Sequence, residues 1–210
     1  MIVVSSFEIT ESGRRSQPWG KTDGHEYKEG KYYNFRQSPE LIDTHLEDFV
    51  EHSSEQAIQD FYALLKWING PESVLESTDC LLSGAPVEDP SAGLFSCTHS
   101  IKGRFEFFVR QIELNANKEA FIWVYEKLST YLQIERSDFR KGSFRICPLI
   151  TDYLVPGGNQ ITGHRFCIYF QAYGNGVSDS WDSLGAMFDS LMKAIKRVNS
   201  EMISGAAVPI

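Results

Sequence analysis

FRICPLITDYLVPGGNQITGHRFCIYFQAY, residues 144–173, holds two strand-like runs around one turn. Residues 144–154 and 165–173 are rich in Phe, Ile, Tyr and Cys, and Pro156-Gly157-Gly158-Asn159 between them is turn chemistry. Runs joined this closely pair antiparallel, because a parallel return needs a crossover of a dozen residues or more. Pro148 lacks an N–H, which places the first run at an edge or a bulge.

Working outward, the same pairing of strands recurs between helices. A helix follows at about 179–202, with Leu184, Met187, Phe188, Leu191, Ile195 and Val198 as its apolar stripe. Upstream, 94–101 and 104–114 read as two antiparallel strands joined near Lys102-Gly103. Phe105, Phe107 and Val109 alternate with Glu106 and Arg110. Phe108 breaks the alternation, which implies a strand covered on both faces. Asn117 caps a helix carrying Phe121, Val124, Tyr125, Leu128 and Leu132, and 74–83 reads as a further strand.

Two consecutive helices precede it. One starts at Ser38-Pro39 and carries Leu41, Ile42, Leu46, Phe49 and Val50 inward. The next opens on a Ser53/Gln56 capping box and stops at Asn69-Gly70-Pro71. Residues 2–10 read as a strand, 11–31 as a mobile loop or hairpin, Tyr32, Tyr33 and Phe35 as a short strand, and 204–210 as a frayed tail. The expected fold is a single α+β domain over 1–210. It has a mainly antiparallel sheet of about six or seven strands with about four helices packed on it.

Composition agrees with a globular chain: 42% of the 210 residues are apolar and 13% aromatic, more than disorder allows. No apolar run approaches the roughly 20 residues of a membrane helix, so no membrane partner is expected. Ile2, Val3 and Val4 follow no basic segment and read as a strand, not a signal peptide. Cys80, Cys97, Cys147 and Cys167 form no close pair, which fits reduced thiols of a cytoplasmic protein.

Charge is the functional signal. Residues 37–101 contain twelve acids and one base, Lys66, for a net −11; the other 145 residues hold sixteen acids and nineteen bases, net +3. From Gln37 to Leu65 there are seven acids and no Lys or Arg. A solvating helix face normally mixes signs, because opposite charges four residues apart stabilise it by about 0.2–0.5 kcal/mol. The expected function is therefore a non-catalytic binding domain that offers Glu40, Asp43, Glu47, Asp48, Glu51 and Glu55 to a basic protein. Phe49, Tyr62 and Trp67 are the candidate aromatic anchors. An immunity- or antitoxin-type inhibitor of a bacterial toxin nuclease has this profile, the toxin being the basic partner. No cofactor, metal or nucleic acid is expected.

Other constellations are weaker. Gly174-Asn175-Gly176 stands where a dinucleotide-binding turn would, but Asp179 replaces the third glycine and would repel a pyrophosphate, so a plain turn with Ser178 or Ser180 as helix cap is expected. His45, Asp48 and His52 share a helix edge, yet seven residues separate the imidazoles by about 10 Å along the axis, too far for one ion. His99 and His164 with Cys97 and Cys167 match no zinc spacing. An enzyme on the sheet, using Asp152, His164, Cys167 and Tyr169, is the alternative function. It requires those side chains to converge. Arg104, Arg110, Arg140, Lys141, Arg145 and Arg165, interleaved with Phe105, Tyr169 and Tyr173, sketch a basic sheet face. The net charge and Glu106 and Glu113 oppose that. A structural or assembly subunit is a third reading, with Pro148 and the Gly-rich turns resisting edge pairing.

Overall fold

The computed structural model describes residues 2–5, 10–18, 33–135 and 141–205. The expectations for 6–9, 19–32, Arg140 and the tail 206–210 lie outside the described residues. Strands β1 (Ile2–Ser5) and β2 (Thr10–Gln17) come first. Two one-turn helices, α1 (Ile42–His45) and α2 (Glu47–Val50), lead into α3 (Gln56–Asn69). Then come β3 (Leu75–Leu82), β4 (Val87–Glu88), β5 (His99–Val109), α4 (Ile112–Ala116) and α5 (Lys118–Glu135). The hairpin β6 (Gly142–Leu154) and β7 (Gln160–Gly174) is followed by α6 (Val177–Ile203). One seven-stranded sheet runs β1-β6-β7-β5-β3, with β2 also beside β6 and β4 beside β5. Only β1 and β2 pair in parallel. The α+β fold and the 144–173 hairpin are as the sequence implies.

One sheet face is apolar. Phe105 and Phe107 of β5, Phe144 and Ile146 of β6, and Phe166, Ile168 and Phe170 of β7 all lie in the main core. Helix α6 packs on β7, and α3 and α5 each pack against α6. Phe61 bridges the layers, stacking on Phe49 and meeting Phe105 and Phe188 within 5.8 Å.

The other face is a polar interior. Arg15 of β2 bonds Asp79 of β3 at 2.8 Å, and Thr78 donates to Gln17 at 3.0 Å. In a flat sheet β2 and β3 would be four strand spacings apart, about 19 Å. The sheet therefore curls until its first and last strands touch through side chains. Inside the curl, Arg165 Nε donates to Glu106 at 2.6 Å, both side chains only 3% exposed. Its other donors go to Ile150 O, Thr151 Oγ1 and Gly13 O. Phe108 packs against Tyr153 on the same side, which is why β5 is buried on both faces.

Several local expectations are overturned. Residues 11–17, read as the start of a loop or hairpin, continue a strand from Thr10 that pairs with β6, and Phe35 sits in a turn closed by the Ser38 N–H on Asn34 O. Residues 90–95 form a 3₁₀ helix, and β5 runs without a turn from His99 to Val109. Gly103 is in mid-strand because a Cβ there would lie 2.2 Å from Leu81 O and 2.5 Å from the Phe170 ring. Residues 112–116 turn helical where a strand to 114 was expected. Pro148 does not mark an edge, since β6 has neighbours on both sides. The Tyr173 N–H bonds Lys141 O, so the odd-numbered residues of β6 are those that bond β7. Pro148 thus turns its missing donor away from β7, toward the side of β6 on which β1 and β2 pair, and no described residue of either is its partner. Inside the sheet, Pro148 gives no protection against edge pairing.

The first acidic helix is also broken. A 3₁₀ turn at Pro39–Leu41 and α1 end at Leu46, whose ψ of 82° is non-helical, and α2 restarts after it. The break also separates like charges. A continuous helix would stack Asp43, Glu47 and Glu51 four residues apart, each like pair costing about 0.2–0.5 kcal/mol. The Ser53/Gln56 capping box does not form; α3 opens after Glu55 with no side-chain cap, and Gln59 donates instead to Ser53 O. Likewise α6 opens at Gly176 without a side-chain cap, so neither Ser178 nor Ser180 fills that role.

Candidate functional site

Segment 39–55 is held by two apolar pins, Ile42 and Phe49, both essentially buried. They fix α1 and α2 against α3 and β3, and the acids between them face outward. Glu40, Asp43, Glu47, Asp48 and Glu51 are exposed and Glu55 half-exposed. Lys66 of α3 reaches back to Asp43 at 2.7 Å, so one acid has a counter-charge. The Leu82 N–H at the end of β3 donates to Asp48. Glu40, Glu47, Glu51 and Glu55 form no ion pair among the described residues.

The local field is negative. The Asp48 carboxyl is held above the usual carboxylate range, by partial burial first and then by Glu47, Asp79 and Glu51, against the pull of the Leu82 N–H. Ionised Asp48 therefore weakens the fold at neutral pH. Asp48→Asn, which keeps an acceptor for Leu82, is expected to gain on the order of 0.2–0.5 kcal/mol at pH 7, the scale of a relieved like-charge pair. The gain shrinks as pH falls through the raised value and wild-type Asp48 takes up its proton. Urea denaturation of both proteins at pH 7 and pH 4 measures it; a loss at pH 7 contradicts the assigned field.

The aromatic anchors are placed otherwise than expected. Phe49 and Tyr62 belong to the chain's own core and offer a partner nothing. Trp67 is half-buried, packed against that core with Lys196 Nζ 5.3 Å from its ring centre. Val50, between Glu47 and Glu51, is the exposed apolar side chain of the segment. It stands on the outer edge of α2 rather than inward beside Phe49, where the apolar stripe of the sequence puts it.

The histidine sets do not assemble. His45 meets Tyr33 edge-on and its Nδ1 lies 2.6 Å from Thr44 Oγ1, while His52 packs beside Trp181. Cys97 belongs to a small cluster with Ala92 and Tyr173, and His99 hydrogen-bonds Thr98. Among the described residues no group of three or more His, Cys, Asp and Glu is arranged to hold a metal ion.

The enzyme candidates do not converge: Cys167 and Tyr169 are hydrogen-bonded neighbours on one face of β7, but His164 lies on the other and Asp152 is engaged elsewhere. His164 and Cys167 are three apart on β7, so they point to opposite faces. His164 packs on Phe121 under the helices; Cys167 is fully buried in the polar interior. Burial, with Glu106 beside it, pushes the Cys167 thiol well up, which leaves it protonated and a poor nucleophile. Asp152 is engaged by a two-pronged Arg14 contact at 2.9 and 3.0 Å, which holds its carboxyl low. Tyr169 is 42% exposed on the outer part of the curled face, its hydroxyl pushed up to about 12 by burial and then Cys167. All four cysteines are free thiols, three of them buried.

The basic face is partly spent. Tyr169 does stand between Arg104 and Arg145 in one cross-strand row. Yet Arg104 bonds Asp79, Arg165 is buried on Glu106, Lys141 holds Asp179, and Phe105 lies on the helix side. Tyr173 is covered by Phe95, stacked 4.3 Å away. At the Gly174–Gly176 turn, Asp179 itself accepts the Asn175 N–H at 2.7 Å, the donor an anion would need.

One concave feature has no counterpart in the sequence pattern. A cleft of about 290 Å³ opens where the ends of β2, β3, β5 and β6 meet, and Arg36, Glu76 and Arg110 converge on it. These residues are 74 positions apart at the extremes and share no motif. Among the described residues no helix is long and apolar enough to cross a membrane. Comparison with protein-family models, curated proteins and solved structures finds no match to this chain.

Proposed function

We propose that the protein is a non-catalytic binding domain whose acidic segment, residues 40–55, docks a basic protein. One observation carries the reading: among the described residues Glu40, Glu47, Glu51 and Glu55 have no counter-ion, around a carboxyl, Asp48, that already feels its neighbours' charge. Two apolar pins hold the segment rigidly enough to act as a preformed surface. Charges so placed steer encounter and select a cationic partner, and Val50 supplies an apolar contact among them. A toxin nuclease with a cationic cleft is the partner class this surface suits, which would make the chain an immunity- or antitoxin-type inhibitor working in the cytoplasm.

The test is affinity capture from native lysate with wild type and with the quadruple variant Glu40→Gln/Glu47→Gln/Glu51→Gln/Glu55→Gln. The wild type is expected to retain a basic protein that the variant does not, at equal melting temperature. A partner retained equally by both contradicts the proposal.

A further inference from the structure

We infer that the cleft between the ends of β2, β3, β5 and β6 binds a small organic anion, a carboxylate or phosphate monoester on an apolar body, with Arg36 and Arg110 meeting its head. The site shares no residue with segment 40–55 and stands independently of the function proposed above.

The charges are unbalanced. Arg36 and Arg110 each approach Glu76 Oε2 to 3.9 Å, too long for a hydrogen bond. Two guanidiniums thus share one carboxylate that bonds neither. Arg110 cannot swing away, because its terminal nitrogens donate to the carbonyls of Ser73, Ile68 and Gly70. Those carbonyls are neutral, so its charge remains. Its Nε is buried with no hydrogen-bond partner. Arg36 is 56% exposed and free to close on a ligand. Burial, set against the two arginines, lifts the Glu76 carboxyl above its usual range, and burial with Arg36 lowers Arg110. Both shifts mark a partly desolvated group of charges.

The rest of the lining suits the body of such a ligand. Phe108, Ile112 and Leu154 give an apolar wall, and Tyr153 offers only its ring, since its hydroxyl donates to His164 O at 2.6 Å. The volume lies at the small end for ligand sites, which favours a compact molecule. The planar fork of Arg36 matches both carboxylate and phosphate oxygens while Arg110, its terminal nitrogens held by carbonyls, contributes its charge, so the geometry leaves the choice of head to experiment.

Amide chemical-shift titration of the full chain with phenylacetate, phenyl phosphate and neutral benzyl alcohol tests the site. At least one anion is expected to saturate shifts at Gln17, Glu76 and Arg110, and benzyl alcohol to move none of them. The anion that binds identifies the head. Arg36→Gln is expected to weaken binding about tenfold or more. Glu76→Gln, which removes the competing carboxylate, is expected to tighten it several-fold. Failure of both anions to saturate, or equal affinity in wild type and Arg36→Gln, overturns the site.

Discussion

Arg165→Met is expected to cost the fold about 3–5 kcal/mol, the usual penalty for stranding one partner of a buried ion pair. The substitution leaves the Glu106 carboxylate 3% exposed, with Arg104 Nε 3.7 Å away as its nearest cation. It also strips donors from Ile150 O, Thr151 Oγ1 and Gly13 O, the last of which ties β2 over the sheet. The double variant Glu106→Leu/Arg165→Met is expected to recover much of the loss, because apolar side chains need no partner there. Urea midpoints for the three proteins decide it. A single-variant loss under about 1 kcal/mol is the value of an exposed pair and contradicts a dry interior to the curl.

Gly103→Ala is the second large effect. Its Cβ would meet a backbone oxygen, Leu81 O, at 2.2 Å and two atoms of the Phe170 ring at 2.5 and 2.8 Å. The ring can shift a little but the β3–β5 ladder cannot. A loss of about 3 kcal/mol, the upper part of the overpacking range, is expected. Gly93→Ala is the control, with nothing within 4 Å of its Cβ and an expected change under about 1 kcal/mol. Equal melting temperatures for the two variants contradict the close approach of β3 and β7 around Gly103.

Gly103 also shows where sequence reading stops. A glycine after a lysine between two apolar runs has the local signature of a turn, and nothing nearby records that Leu81 and Phe170 crowd it from other strands. The same holds for Pro148, whose missing donor faces the side of β6 taken by β1 and β2, strands far from it in sequence. Strand β2 reads TESGRRSQ, with no β-branched or aromatic alternation beyond its first residue, because it is ordered by pairing with β6 and by Arg15 and Gln17 reaching β3. In contrast, α3, α5, α6 and the β6–β7 hairpin carry their own signals. Their stripes and turn residues are local, and the core uses them as written. The acidic segment was legible as charge but not as shape, since its apolar spacing reads as one continuous helix and nothing local marks the break at Leu46. The Arg36–Glu76–Arg110 cleft was not legible at all, because the curl of the sheet brings those residues together.

If the carboxylates of residues 40–55 face a basic partner, the dissociation constant of that complex depends on salt. Wild type is expected to lose affinity steadily as sodium chloride rises from 50 to about 300 mM, because screening shortens the reach of exposed charges. Glu47→Lys/Glu51→Lys is expected to bind at least about tenfold more weakly at low salt and to show a flatter salt dependence. Affinity that changes with neither salt nor charge reversal contradicts the account.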